Sequence, residues 1–80
     1  MKIKTLFFGV ARDIVGKDEL LIDVQGNTTI QDFEARLLNQ YPDFSDIRNF
    51  AFAVNESYVD RNYSIQKNDL IAVLPPVSGG

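Results

Sequence analysis

The order of strand and helix signals predicts an α+β domain, with a mixed sheet of about five strands, one main helix and a short helix on one face. Strand signals lie near both ends of the chain, as alternating apolar residues at the start and an aliphatic run at the end. Between them, apolar residues recur at helical spacing. A chain of 80 residues holds a single core, so these elements must pack together.

The first strand signal covers residues 2–8, KIKTLFF. Its two lysines mark one side of the strand as exposed to water. Leu6 and Phe8 share the parity of those lysines, so we expect both to point away from the core. The alternative is a strand end that is buried on both faces. The expected inward set is Ile3, Thr5 and Phe7.

A short helix and a second strand follow. Gly9 and Gly16 bracket VARDIV, which fits one or two helical turns that end at a left-handed Gly16. Residues 19–24, ELLIDV, then alternate as a strand. The expected inward residues of that strand are Leu20, Ile22 and Val24.

The main helix begins at a threonine and ends before Pro42, which disfavours the α conformation of the residue in front of it. Thr28 with Gln31 fits a capping box, and Thr29 with Asp32 fits equally well one residue later. Both starts stay open. The expected apolar stripe comprises Ile30, Phe33, Leu37, Leu38 and Tyr41.

Three further strands complete the sheet. A tight turn at Asn55 and Glu56 separates the first two, and Asn68 tolerates the positive φ of the turn before the last. The final strand is rich in residues that suit a buried sheet position. The three strand signals cover residues 50–55, 58–59 and 70–74.

Composition excludes several kinds of function. The net charge of −3 disfavours nucleic acid as a partner, and the absence of Cys and His excludes thiolate or imidazole chemistry. The scattered acidic residues show no metal-ligand spacing and predict a solvated acidic surface. No apolar stretch is long enough to cross a membrane, so we expect a cytoplasmic protein.

Two weaker motifs also fail to indicate a bound ligand. Gly16 and Lys17 do not form a phosphate-binding loop, because Asp18 stands where a Ser or Thr is required. We therefore expect no cofactor, ATP included, to bind this chain by itself. Tyr58 and Tyr63 allow stacking on a ligand, but we favour packed rings with their hydroxyl groups in water.

The sequence closes on LPPVSGG, residues 74–80. A terminal carboxylate becomes reactive when a partner enzyme converts it to an acyl-adenylate. Glycines allow close approach in a narrow site, and Pro75 with Pro76 gives a stiff, extended exit from the last strand. We expect a domain over residues 1–74 and a flexible tail over 75–80, which reaches roughly 20 Å. The alternative is an incidental loose terminus.

Four segments together resemble the small, sulfur-carrying subunits of molybdopterin synthase. They are KIKTLFFGVARDIVG at the start, the threonine-led helix near residue 29, AVNESYV in the middle and PPVSGG at the end. The resemblance covers essentially the whole chain. It implies a ubiquitin-like β-grasp fold, in which the first and last strands lie side by side and parallel at the centre of the sheet.

The resemblance also implies a function. Gly80 would be adenylated with ATP by an activating enzyme of the ubiquitin-E1 type, and a sulfurtransferase or cysteine desulfurase would supply sulfur for a thiocarboxylate. The tail would then enter the large synthase subunit, in a heterotetramer, and donate sulfur to cyclic pyranopterin monophosphate (precursor Z) to form the molybdopterin dithiolene. The small subunit would be no enzyme on its own. The inserted tail residues would be Pro75, Pro76, Val77, Ser78 and Gly79.

By the same resemblance, Phe8, Arg12 and Leu74 would form a cluster that docks the partner proteins where the tail leaves. Leu74 stands where relatives often carry an aromatic residue, and Asn68 where they often carry Gly. We expect the first difference to weaken partner affinity and neither to affect the chemistry. Three other functions stay open: a sulfur carrier of thiamine biosynthesis, a ubiquitin-like protein modifier and a passive binding module.

Overall fold

The computed structural model describes residues 1–76, and its strands and two α-helices follow the expected order. A short 3-10 helix, which the sequence analysis did not predict, precedes the third strand. The strands are β1 Lys2–Phe7, β2 Glu19–Asp23, β3 Ala51–Val54, β4 Ser57–Val59 and β5 Leu70–Leu74. The helices are α1 Val10–Val15, α2 Ile30–Gln40 and the 3-10 helix Ile47–Asn49.

The five strands form one mixed sheet in the order β2-β1-β5-β3-β4. β1 and β5 pair in parallel at the centre, and the remaining neighbours pair antiparallel. A parallel pair needs a long crossover, and the chain between β1 and β5 contains all the other elements. This is the arrangement of a ubiquitin-like β-grasp fold, so the expected fold and the central parallel pair are confirmed.

One face of the sheet packs on α2 and forms the core. The buried side of β1 consists of Ile3, Thr5 and Phe7, as the parity of the lysines predicted. Phe33 of α2 meets Phe52 of β3 edge to face, with ring centroids 6.4 Å apart. Phe8 is 45% exposed, which excludes the alternative of a strand end buried on both faces.

The start of α2 settles which capping box the sequence uses. The Thr29 hydroxyl accepts a hydrogen bond from the Asp32 N–H at 3.2 Å, and the Asp32 carboxylate accepts one from the Thr29 N–H at 3.1 Å. The Thr28 hydroxyl instead donates to the Gln25 carbonyl. The expected stripe is wrong at Leu38, which is 38% exposed because it lies about 100° around the helix from buried Leu37.

Turns form at the glycine and asparagine positions where the sequence predicted them. Gly16 ends α1 with φ 84°, and Asn68 has φ 70° in the turn before β5. Asn55 and Glu56 both have positive φ, 52° and 72°, as a two-residue hairpin turn of type I′ requires. The third strand starts one residue later than expected, because Phe50 ends the 3-10 helix.

Candidate functional site

The ends of β1 and β5 meet at one edge of the sheet, because parallel strands run in the same direction. Phe7 pairs with Val73, and the Phe8 N–H donates to the Val73 carbonyl at 3.2 Å. Phe7 and Val73 are the last pair of the ladder, and its register extended by one residue puts Phe8 opposite Leu74. The structure therefore brings together, on adjacent strands, two of the three residues expected to dock a partner.

Phe8 and Leu74 lie on the sheet face that neither α1 nor α2 covers. Residues directly opposite each other in a ladder share a face, and Phe8 has the same parity as exposed Lys4. The Phe8 side chain is half-exposed and Leu74 is partly exposed, whereas the residues that precede them, Phe7 and Val73, point to the other face and are buried. An apolar surface thus borders the point where the chain leaves β5.

The same helix-free face continues across the sheet as one apolar row. Ladder pairs connect Leu6 to Ala72, Ala72 to Ala53 and Ala53 to Tyr58. Tyr58, at the end of the row, is 75% exposed, so the expectation that its ring packs into the protein is wrong. Side chains alternate between the two faces of a strand, so Ala53 points away from the face of buried Phe52. The ladder partner of Ala53, Tyr58, shares its face, and this alternation could have placed Tyr58 outward from the sequence.

Arg12 lies on the opposite flank of β1 from Leu74. Its guanidinium pairs with the Asp18 carboxylate at 3.3 Å, and both side chains are exposed. The Asp18 carbonyl also accepts the Phe7 N–H at 2.8 Å, on the β2 side of β1. The expected cluster is therefore split around the end of β1. An exposed ion pair of this kind contributes little to stability, about 0–1 kcal/mol, which leaves the guanidinium available to a partner.

Two prolines follow β5 directly. Pro75 is partly buried and Pro76 is exposed. A methyl group placed on Gly9 would lie 3.0 Å from Cγ of Pro75, so the proline ring rests against the backbone of Gly9. The other expected tail residues, Val77, Ser78, Gly79 and Gly80, lie outside the described residues.

A buried polar cluster holds the other end of β5. Asp69 is only 7% exposed, which corrects the expectation that the acidic residues are solvated. Its carboxylate accepts hydrogen bonds from the Gln66 N–H at 2.8 Å, the Tyr63 hydroxyl at 2.9 Å and the Asn55 amide at 2.9 Å. The Tyr63 hydroxyl is thus bound to Asp69, not free in water. The cluster joins the turn before β5 to the turn after β3.

Burial and hydrogen bonding act in opposite directions on the pKa of Asp69. Desolvation raises it, but the hydrogen bonds from Gln66, Tyr63 and Asn55 together outweigh desolvation, so the pKa lies below its ordinary value. The pKa of Tyr63 is raised, first by its hydrogen bond to Asp69, then by burial and by the Asp69 charge. Asp69 is therefore held ionised and Tyr63 neutral, which suits a structural role.

Within residues 1–76, no three His, Cys, Asp or Glu side chains gather as a metal site. No helix in that range is both long and apolar enough to cross a membrane. A shallow groove lies beside the second half of α2 and is lined by Ala35, Leu38, Asn39 and, two residues after the helix, Pro42. The arrangement at the ends of β1 and β5 is instead suited to docking and to presenting the chain that follows.

Comparisons with known proteins agree with this geometry. The molybdopterin synthase sulfur carrier subunit of Dictyostelium discoideum is 35% identical, with 99% of this chain and 96% of that protein covered. A complex of subunits 1 and 2 of the molybdopterin-converting factor from Helicobacter pylori contains a chain with 25% identity and a TM-score of 0.70, covering all of both chains.

The fold also extends to a modifier protein. Small archaeal modifier protein 1 of Haloferax volcanii superposes with a TM-score of 0.83 at 19% identity, with 95% of this chain and 98% of that chain covered. At that identity the likeness shows the fold alone. The ThiS family profile matches residues 5–80, nearly the whole sequence. The chain therefore belongs to the ThiS family, as the resemblance to sulfur-carrying subunits indicated.

Proposed function

We propose that this chain is the sulfur carrier subunit of a molybdopterin synthase, with a thiocarboxylate on Gly80 as the donor and cyclic pyranopterin monophosphate as the acceptor. The observation that carries the proposal is the full-length similarity to relatives named molybdopterin synthase sulfur carrier subunits. The geometry supports it, since Pro75 and Pro76 follow β5 directly and the end of β5 adjoins the exposed Phe8.

The chemistry takes place on the terminal carbonyl carbon. In an E1-type enzyme, the Gly80 carboxylate bonds to the α-phosphorus of ATP, and pyrophosphate leaves. A persulfide on a sulfurtransferase or cysteine desulfurase then displaces AMP, and a thiol reductant cleaves the sulfur–sulfur bond to leave the thiocarboxylate. On the large subunit, the thiocarboxylate sulfur bonds to a substrate carbon as an oxygen substituent leaves that carbon, and water then cleaves the acyl–sulfur bond, which restores the Gly80 carboxylate and leaves the sulfur on the substrate. A second transfer completes the dithiolene.

In this division of labour the chain is a carrier and not an enzyme on its own. It supplies the acyl carbon and a docking surface, and the partners supply the nucleotide site and the groups that move protons. Phe8 and Leu74 form the apolar part of the docking surface, and Arg12 adds a cation on the other flank of β1. Exposed aromatic side chains and arginines are both enriched among interface anchors. The large subunit completes a heterotetramer.

Intact-mass measurement on protein purified from its native host tests the proposal. We expect a chain that ends at Gly80, with one oxygen exchanged for sulfur. Deleting Gly80 or adding an alanine after it should abolish both the exchange and molybdopterin formation, whereas Gly26→Ala should leave both unchanged. Gly26 is a suitable control because a methyl group there would meet nothing within 4 Å. Molybdopterin formation by the deletion variant would disprove the proposal.

The same samples distinguish the other functions. High-mass conjugates that survive denaturant would identify a protein modifier. Sulfur transfer that supports thiazole synthesis but not molybdopterin synthesis would identify a carrier of the thiamine pathway. Full function with a residue appended to Gly80 would identify a passive binding module.

A further inference from the structure

The ladder between β1 and β5 ends at Pro75. In a parallel ladder, a residue on one strand donates to one residue of the partner and accepts from the residue two positions further on. Phe8 donates to the Val73 carbonyl, so its own carbonyl would accept from the N–H of residue 75. Proline has no N–H. The central pair therefore stops at this position, and the chain after Leu74 is released from β1.

The Phe8 carbonyl accepts a different hydrogen bond. The Ala11 N–H donates to it at 3.0 Å, which turns the chain from β1 into α1. Gly9 lies inside this turn with φ 56° and ψ −130°, the angles of the first central residue of a type II′ turn. Those angles strongly favour glycine.

Gly9 also differs from the other described glycines in what lies next to it. A methyl group on Gly9 would lie 3.0 Å from Cγ of Pro75, closer than normal carbon–carbon contact, and within 4 Å of two more atoms of that ring. A methyl group on Gly16 or Gly26 would meet nothing within 4 Å. The ring of Pro75 therefore occupies the space that a side chain at residue 9 would fill.

We propose that Gly9 is a positioning residue for the tail. Because Gly9 has no Cβ, Pro75 rests directly on its backbone, and this contact fixes the direction in which Pro76 leaves the sheet. This inference rests on the proposed function, since it assigns Gly9 a role in delivering Gly80 to a partner's active site. Gly9 acts through Pro75 and touches no reacting atom.

The test compares Gly9→Ala with Gly16→Ala in adenylation of the whole chain by its activating enzyme. Both positions have positive φ, but only Gly9 contacts Pro75. We expect Gly9→Ala to lower kcat about fivefold or more with KM unchanged, because the body still docks while the tail is misdirected. Gly16→Ala should leave both constants unchanged. A loss through KM alone, or equal losses in the two variants, would overturn the proposal.

A double-variant comparison isolates the contact from backbone strain. Pro75→Ala removes the Cγ that lies closest to Gly9, so Gly9→Ala should cost less in kcat in the Pro75→Ala background than in the wild type. The same loss in both backgrounds would show that the contact has no role.

Proton NMR of the isolated wild-type protein tests the contact without any assumption about function. A nuclear Overhauser effect between the Gly9 Hα and Pro75 Hγ protons should be present, and its absence would overturn the inference. If the effect is present but Gly80 is never adenylated, the proposed function fails while the contact stands.

Discussion

The two ends of β5 are held in opposite ways. At its start, Asp69 is buried and accepts three hydrogen bonds, and Asn55 adds a reciprocal pair of bonds with Leu70. At its end, Pro75 donates no backbone hydrogen bond and rests on a glycine beside the half-exposed Phe8. One end is fixed by buried polar contacts. At the opposite end of β5, the hydrogen-bonded ladder with β1 stops and an apolar surface stays accessible.

This difference indicates how one strand can serve both stability and presentation. Hydrogen bonds to a buried carboxylate are expensive to leave unmade, so the start of β5 stabilises the fold. The end of β5 is shaped by two groups that its residues lack. Without an N–H, Pro75 cannot extend the ladder, and without a Cβ, Gly9 lets the Pro75 ring approach its backbone. Changes at the start should therefore affect unfolding, and changes at the end should affect partner binding.

The largest expected effect on stability comes from Asp69→Asn. The amide keeps the shape of the carboxylate but has one acceptor oxygen and no charge, so at least one of its three donors loses its partner. We expect the free energy of unfolding to fall by about 2–4 kcal/mol in urea denaturation. Asp43→Asn, at an exposed carboxylate, should change it by no more than about 0.5 kcal/mol. Equal effects of the two substitutions would contradict the comparison.

The pH dependence of unfolding sharpens the same contrast. Because the folded pKa of Asp69 is lowered, its stabilisation is complete above the unfolded pKa of about 3.9 and is lost as the pH falls through the folded pKa. The difference in unfolding free energy between wild type and Asp69→Asn should therefore be constant near neutral pH and shrink in acid. The raised pKa of Tyr63 acts at the other extreme, where stability falls as the pH rises beyond about 10.

Denaturation curves of the two proteins at a series of pH values measure this difference directly. Asp43→Asn again serves as the control, because it removes an exposed carboxylate and leaves the buried cluster around Asp69 intact. A difference that persists unchanged in strong acid would show that the Asp69 charge does not stabilise the fold.

Local patterns were sufficient to predict most of the fold. The lysines of β1 fixed its buried side, and Thr29, Gly16 and Asn68 acted at the cap and turns where their chemistry predicted. The 3-10 helix was missed because three residues are too few for a periodic signal. Leu38 was wrongly assigned to the core because the spacing of apolar residues does not show how wide the buried face of the helix is.

The site was predictable only where a local rule applied. Phe8 could be placed outward by parity, and Leu74 beside it followed from the resemblance. Contacts between residues distant in sequence left no local signal. Buried Asp69 accepts a hydrogen bond from Asn55, 14 residues earlier, and the Pro75 ring packs against Gly9 near the other end of the chain. Neither contact has a spacing that a single sequence displays.

The smallest expected effect on stability, and a large one on binding, comes from Phe8→Asp at the end of β5. A new carboxylate on a half-exposed position remains hydrated, so the free energy of unfolding should fall by only about 1 kcal/mol, from the lost burial of half of the ring. Binding to the large subunit or the activating enzyme would bury that charge in an apolar interface. We therefore expect the dissociation constant, measured by calorimetry, to rise about tenfold or more.

Leu21→Asp is the matched control for Phe8→Asp, because it adds the same charge to the same helix-free face at a side chain that is 66% exposed. Leu21 belongs to the edge strand β2, whereas Phe8 adjoins Leu74 at the end of the central pair. If partners recognise the surface around the tail exit, only the change at Phe8 should weaken binding strongly. Equal weakening would show that the whole face is recognised, and unfolding of Phe8→Asp would show that Phe8 stabilises the core.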